Sequence, residues 1–370
     1  MDLDHVVLPA IITCAGVVIV WLCFRRLRSL QRKPYGMFRR IAERVVLSLL
    51  AMAAALLAGS SAYNAFELKL TWTTHPPPGA LYAVNGARMH IDCMGTGEPT
   101  IILDDGFGNN ATVWQEVQPE LAKTTRVCSY DRAGSGWSDP QPGPRDANQI
   151  VDQQHALLQQ AGITGPIVLM GHSIAGLYVR AYATRFPEDV AGIVFVDGSS
   201  PEQFKIPAIA DEVNKQSWLL PRAIMILGLP RAMWTVTKTA PGLPPNAGRD
   251  EAEAEFHSHI GALAVEMRSF FRSGDEVAQT GPYGALPILV LSEDTAKPGN
   301  EAMAPFAAPW NQMQENLKKL SSRSRRIIAK NSSHYIQLDR ADLIEKEVPV
   351  FIEEVRTGTP SPANGTTKTE

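Results

Sequence analysis

Val168-Leu169-Met170-Gly171-His172-Ser173-Ile174-Ala175-Gly176 decides how this chain is read. An apolar run of strand length stops at a glycine, a serine follows two residues on, and a helical pattern runs from Ile174 to Arg185. A serine alcohol is a poor nucleophile at neutral pH. It needs a base within reach and exposure to substrate, and it gains from a helix N-terminus whose N–H groups face a developing anion. A strand, Gly-x-Ser and a helix in that order supply the exposure and the helix N-terminus; the base must come from elsewhere in the chain. Ala175 stands where the usual pattern carries a second glycine. It adds one methyl and accepts helical dihedrals, and Gly176 leaves further room.

Around this stretch the chain alternates. Thr100-Ile101-Ile102-Leu103, Arg126 to Tyr130, Ile167 to Met170, Gly192 to Val196, Pro287 to Leu291 and Arg326 to Ala329 read as strands. Ala111 to Lys123, Asn148 to Ala161, Ile174 to Arg185, Gln312 to Leu320 and Ala341 to Arg356 read as helices. Such alternation predicts a mostly parallel sheet covered on both faces. Two alternating strands near Leu81 and over Ala87–Asp92, joined by Asn85-Gly86, predict an antiparallel hairpin at one edge. The rhythm breaks over residues 200–282, which read as a helical insertion with pieces at Asp211–Leu219 and Arg249–Phe271. The Thr- and Pro-rich residues 357–370 read as a disordered tail.

The first 66 residues have another character. Val6 to Phe24 and Val45 to Phe66 carry no charged residue, and each is about long enough to cross a bilayer. Between them lie Arg25, Arg26, Arg28, Arg32, Lys33, Arg39, Arg40 and Arg44 against the single acid Glu43. Basic residues beside spans stay cytoplasmic. The expected topology is a hairpin over residues 1–66, with spans at about 6–24 and 45–66, Asp2 and Asp4 outside, and everything after Phe66 outside. Thr73 to Gly79, with its three prolines, reads as part of a stiff linker over 67–79. A soluble domain then occupies 80–356. The expected location is the periplasmic side of a bacterial inner membrane, with the lipid bilayer as partner. A net charge of -3 gives no case for nucleic acid. His257 and His259, at i and i+2, point apart on a helix, so no metal is expected, and no cofactor is implied.

Four segments, Leu103-Asp104-Asp105-Gly106-Phe107-Gly108, Tyr130-Asp131-Arg132-Ala133-Gly134-Ser135-Gly136, Gly171-His172-Ser173-Ile174-Ala175-Gly176 and Ser333-His334-Tyr335, occur in this order. Together they resemble the α/β-hydrolase superfamily, of the serine esterase and lipase type. The resemblance runs from about Ala80 to Arg356 and implies an α/β-hydrolase fold with a helical cap at about 200–282. It implies Ser173 as nucleophile, His334 as base, and the backbone N–H groups of Phe107 and Ile174 as oxyanion hole. The family's acid falls after the strand following the insertion, which points to Asp294, with Glu293 beside it. Asp197, at the end of the preceding strand, is the other candidate. The implied reaction is hydrolysis of a small carboxylic ester with an apolar acyl group through a Ser-His-Asp triad and an acyl-enzyme. The alternatives are an aminopeptidase-type amide hydrolase and a non-catalytic binding protein on the same fold. Trp218, Leu219, Leu220, Met225, Ile226, Leu227, Met233 and Trp234 would line an acyl pocket or form the cap's own core. Cys93 and Cys128 fall on strands that lie close together in this fold, which implies a disulfide in an exported domain.

Overall fold

The computed structural model describes residues 3–31, 35–239, 248–297 and 306–370. Asp2, Arg32 and Lys33 of the charge pattern lie outside these, as do residues 240–247 of the insertion. The described chain forms two compact units, 77–216 with 262–370, and 1–76 with 217–261.

The first of these units is built on a nine-stranded sheet. Its strands in chain order are β1 (Ala80–Val84), β2 (Ala87–Met94), β3 (Thr100–Asp104), β4 (Val127–Tyr130), β5 (Ile167–His172), β6 (Val190–Val196), β7 (Ile288–Glu293), β8 (Ser324–Ala329) and β9 (Thr367–Thr369). They lie in the order β1-β2-β4-β3-β5-β6-β7-β8-β9. β2 runs antiparallel to β1 and to β4, and the rest pair parallel. Asn85 and Gly86 turn the β1–β2 hairpin, both at positive φ, as a two-residue turn of that type requires.

The central strands are apolar in unbroken runs, Ile101–Leu103, Ile167–Met170, Ile193–Val196 and Ile288–Leu291, because both faces are covered. Ile102, Leu169, Ile193, Phe195, Ile288 and Val290 pack on one face, with the helices Ala147–Gln160 and Ala175–Arg185. Their neighbours Leu103, Val168, Met170, Val194, Leu289 and Ile327 pack on the other, under the helix Ala341–Thr357. Each such side chain contributes about 1.5–3 kcal/mol of burial. This fixes the register, since a slip of one residue exchanges the two faces.

Cys93 and Cys128 sit directly opposite each other on β2 and β4 and are joined in a disulfide. Two elements depart from expectation. Ala111–Lys123 is not one helix but a 3-10 turn, Ala111–Trp114, followed by the single turn Gln118–Leu121. Pro119 has no N–H to give an uninterrupted ladder, and it starts the second piece instead. The tail is not disordered: Thr367–Thr369 adds β9 to the edge of β8, in register with Arg326–Ile328. Lys368 there meets Glu370 and Glu347, and alternating threonines suit a half-exposed edge strand.

The second unit holds two helices long and apolar enough to cross a membrane, α1 (Leu8–Leu30), whose apolar stretch extends back to Asp4, and α2 (Met37–Thr74). At 1.5 Å per residue, the 38 residues of α2 make it about 57 Å long. Gly16 lets the two helices touch, because a Cβ there would lie 2.5 Å from the Ala58 methyl. The insertion's helices Leu219–Ile226, Leu229–Thr237 and Arg249–His257 pack in this unit. Ser61 Oγ donates to the Ile226 carbonyl at 2.9 Å, and Arg231 bridges Asn64 and Glu253. Of the apolar set in the insertion, Trp234 packs with Leu68, Ala252 and Phe256 as core. Leu219, Leu220 and Met233 are exposed.

Candidate active site

β5 ends at His172, and Ser173 follows with φ +54°. A serine pays about 1–3 kcal/mol to hold that conformation. The surroundings over-determine it: Ser173 N–H donates to the Val196 carbonyl at 3.2 Å, and its own carbonyl accepts from Gly176 N–H at 2.9 Å and Ser199 N–H at 2.7 Å. The turn puts the side chain at the carboxyl ends of β3, β5 and β6, the crevice where open α/β sheets bind ligands.

The missing glycine at 175 is explained by where the squeeze falls. Ala175 is fully buried but fits. A Cβ on Gly176 would lie 2.6 Å from both Ser199 N and Ser199 O, and one on Gly171 would lie 2.9 Å from the Ala175 carbonyl and from Val179. The constraint has moved one residue along the helix. Gly176→Ala is therefore expected to destabilise the fold by about 1–3 kcal/mol, read as a lowered denaturant midpoint, while Ala175→Gly costs only about 1 kcal/mol of helix propensity.

Ser173, His334 and Asp197 form one hydrogen-bonded chain. Ser173 Oγ lies 2.8 Å from His334 Nε2, and His334 Nδ1 lies 2.6 Å from Asp197 Oδ2. A carboxylate only accepts, so Nδ1 carries the proton and Nε2 is left to accept from the serine. Asp197 is fully buried and its oxygens are well provided for. Trp310 Nε1–H donates to both at 3.1 and 3.0 Å, and the Glu293 N–H donates to Oδ1 at 3.0 Å. Asp197 itself has φ +45°, held by its N–H on the Leu291 carbonyl at 2.7 Å.

This corrects the choice of acid. Asp294 accepts from the backbone N–H groups of Ala296 and Asn331, both at 3.1 Å. It ties down the turn after β7 and the loop that leads to His334, and it does not bond the imidazole. Glu293 is buried and reaches the chain through its backbone N–H on Asp197. Sequence reasoning also missed Trp310, which no motif marks, and His172. The His172 ring lies 4.8 Å from that of His334, and its Nε2 bonds the His334 carbonyl at 3.0 Å.

The electrostatics differ between the two histidines. Burial pulls His334 down, but the hydrogen bond and charge of Asp197, with Glu293 beyond, outweigh it and raise its pKa. Burial and the neighbouring His334 push His172 well below the ordinary range, so it stays neutral.

Beside the serine, the loop after β3 is held by Arg132. Its guanidinium donates to the carbonyls of Asp105 at 2.7 Å and Gly106 at 2.9 Å, and to Asp104 Oδ1 at 2.7 Å. Glu266 lies 3.2 Å from the same guanidinium and is bridged to Arg145 at 2.7 Å. In a planar trans peptide the C=O and the following N–H point in opposite directions. With the Gly106 carbonyl on Arg132, the Phe107 N–H therefore faces away from the guanidinium. Asp105 carries its carboxyl in this loop, but burial raises its pKa well above the usual carboxylate range, Arg132 notwithstanding, which favours its neutral form. Ile174 is the N-cap of the helix Ala175–Arg185, whose first N–H groups have no helical acceptor. Among the described residues, no group of His, Cys, Asp and Glu could hold a metal ion.

The α/β-hydrolase fold family model matches residues 99–220. An uncharacterized protein of Schizosaccharomyces pombe is 28% identical over 318 residues, covering 74% of this chain. The chain spans just over half, 56%, of that protein's length. Among solved structures, an esterase of Thermogutta terrifontis matches with a TM-score of 0.54 at 20% identity, over 74% of this chain and 97% of its own. The enol-lactonase of Burkholderia xenovorans matches with a TM-score of 0.54 at 22% identity, over 74% of this chain and all of its own, 100%. These structures share the fold. With the sheet order and the Ser173 turn, the chain has the α/β-hydrolase fold, and its residues 99–220 match the model of that family.

Proposed function

We propose that this chain is a membrane-anchored serine hydrolase that cleaves carboxylic esters. The observation that carries the reading is the chain of hydrogen bonds from Ser173 through His334 to Asp197, with Asp197 buried and fully bonded. His334 Nε2 takes the Ser173 proton as Oγ attacks the ester carbonyl. The tetrahedral oxyanion is held by the N–H groups of Ile174 and Phe107. His334 then protonates the leaving alcohol, and the acyl-enzyme forms. Water attacks in the second half, with His334 again as base. Asp197 keeps the proton on Nδ1 and stabilises the imidazolium. An esterase and an enol-lactonase share this fold, which supports an ester bond as the target.

The test is steady-state hydrolysis of short-chain p-nitrophenyl esters across pH. His334 must be neutral to act as base, and its pKa is raised from the ordinary 6.5. The rate kcat/KM is therefore expected to fall as pH drops, with the acid limb centred above 6.5. No ester turnover by folded protein would sink the reading, and turnover of p-nitroanilides in its place would favour the amide-cleaving alternative.

We place the hydrolase unit outside the cytoplasm. Two observations support this: the basic residues between α1 and α2, and the Cys93–Cys128 disulfide, which belongs in an oxidising compartment. A periplasmic-type reporter fused after Thr74 is expected to be active, and activity only from a cytoplasmic-type reporter would reverse the orientation.

A further inference from the structure

Between α1 and α2 lies a groove of about 590 Å³, within the size range of ligand sites, about 300–1,000 Å³. It is graded along its length. At one end Thr13, Cys14, Ala62 and Ala65 line it; at the other stand His5, Lys69, Trp72 and His257. The Thr13 hydroxyl donates to the Pro9 carbonyl at 2.8 Å, so this polar side chain at the apolar end is satisfied within its own helix. From Ala62 to Trp72 the groove runs about 15 Å along α2.

The grading matches a membrane boundary. The charge-free stretch of α2 begins at Val45 and ends at Phe66, about the thickness of a hydrocarbon core. Ala62 lies inside that boundary and Lys69 just beyond it, where tryptophan and snorkelling lysine belong. The nearby acids are turned elsewhere. Asp4 pairs with Arg222 at 2.5 Å, and Glu67, two residues from Lys69, points about 200° away around the helix. The polar end is further fixed by His257, whose Nε2 lies 2.9 Å from Thr71 Oγ1 and whose ring lies 5.1 Å from that of Trp72.

We propose that this groove binds one anionic phospholipid of the surrounding bilayer, its acyl chain between α1 and α2 and its phosphate at Lys69. The proposal rests on the membrane-anchor reading above. An apolar slot closed by a cation at headgroup depth has the polarity sequence of such a lipid, tail to head. A zwitterionic lipid gains less, because its own cation meets Lys69.

The test uses the full chain reconstituted in phosphatidylcholine vesicles containing a phosphatidylglycerol with a photoactivatable acyl chain. Adducts are mapped by mass spectrometry after irradiation. They are expected to concentrate on residues 5–14 and 62–72. Lys69→Glu, at an exposed position, is expected to lower that yield about tenfold, and Ala65→Trp, which fills the slot, by a similar factor. Fluorophosphonate labelling of Ser173 in each sample verifies that the hydrolase unit is folded. Adducts spread evenly along both helices, yields unchanged by Lys69→Glu, or chain-to-chain adducts in place of lipid ones would each overturn the groove. A chain that washes off the vesicles in alkaline carbonate would overturn the anchor itself, and the groove with it.

Discussion

Asp197→Asn is expected to lower kcat for ester hydrolysis by about 10⁴-fold, and Asp294→Asn to leave it within about threefold of the parent. The amide offers His334 Nδ1 a hydrogen-bond donor as readily as an acceptor. The ring can then hold its proton on Nε2, where it faces Ser173 and can accept nothing. The loss of charge adds to this. The hydrogen bond and charge of Asp197 are what raise His334 against burial, so in Asp197→Asn the residual activity should also show its acid limb at lower pH than the parent. Trp310 and the Glu293 N–H would still bond the amide oxygen, so the fold should survive. Asp294 by contrast holds two backbone N–H groups of nearby turns, and its loss should be felt in loop stability more than in rate. Steady-state kinetics of the two variants decide this, and the opposite ranking would return the acid to Asp294.

Arg132→Met is expected to cost about 3–5 kcal/mol of stability, seen as a melting temperature lower by roughly 10 °C. The guanidinium lies among three buried carboxylates, Asp104, Asp105 and Glu266. Asp104 and Asp105 are pushed up by burial. Glu266 is held low, because Arg132 and Arg145 outweigh its burial. Removing Arg132 leaves Glu266 with half its compensation and frees the carbonyls of Asp105 and Gly106. Arg132→Lys should recover only part, since a single ammonium cannot serve two carbonyls and a carboxylate in the plane of a fork. Thermal unfolding checks this, and a parent-like melt for Arg132→Met would show that the cluster is compensated elsewhere.

Much of this was legible in the residues. The sheet declared itself because buried parallel strands are apolar at every position, as in Ile167–Met170 and Ile288–Leu291. Ser173 declared itself because a serine between a buried strand and a helix has few structural reasons to be there. The hairpin of α1 and α2 followed from absent charge and flanking arginines. The acid did not. Asp197 and Asp294 both follow buried strands and both precede turns, and one-dimensional spacing cannot say which carboxylate a loop 137 residues from Asp197 will meet. That depends on the β6–β7 register and on Trp310, which comes from another helix. The sequence shows that Ala175 replaces a glycine but not that the close approach to Ser199 falls on Gly176. The strand in the tail is not legible because its composition suits solvent and an edge strand equally.

Fluorophosphonate labelling of the full chain in membranes decides whether Ser173 is the activated nucleophile we propose. Attack on the phosphorus requires the His334 base and the oxyanion donors together. A stoichiometric adduct is expected on the peptide bearing Ser173 and none in Ser173→Ala. A folded chain that forms no adduct, or forms one on another residue, would contradict it.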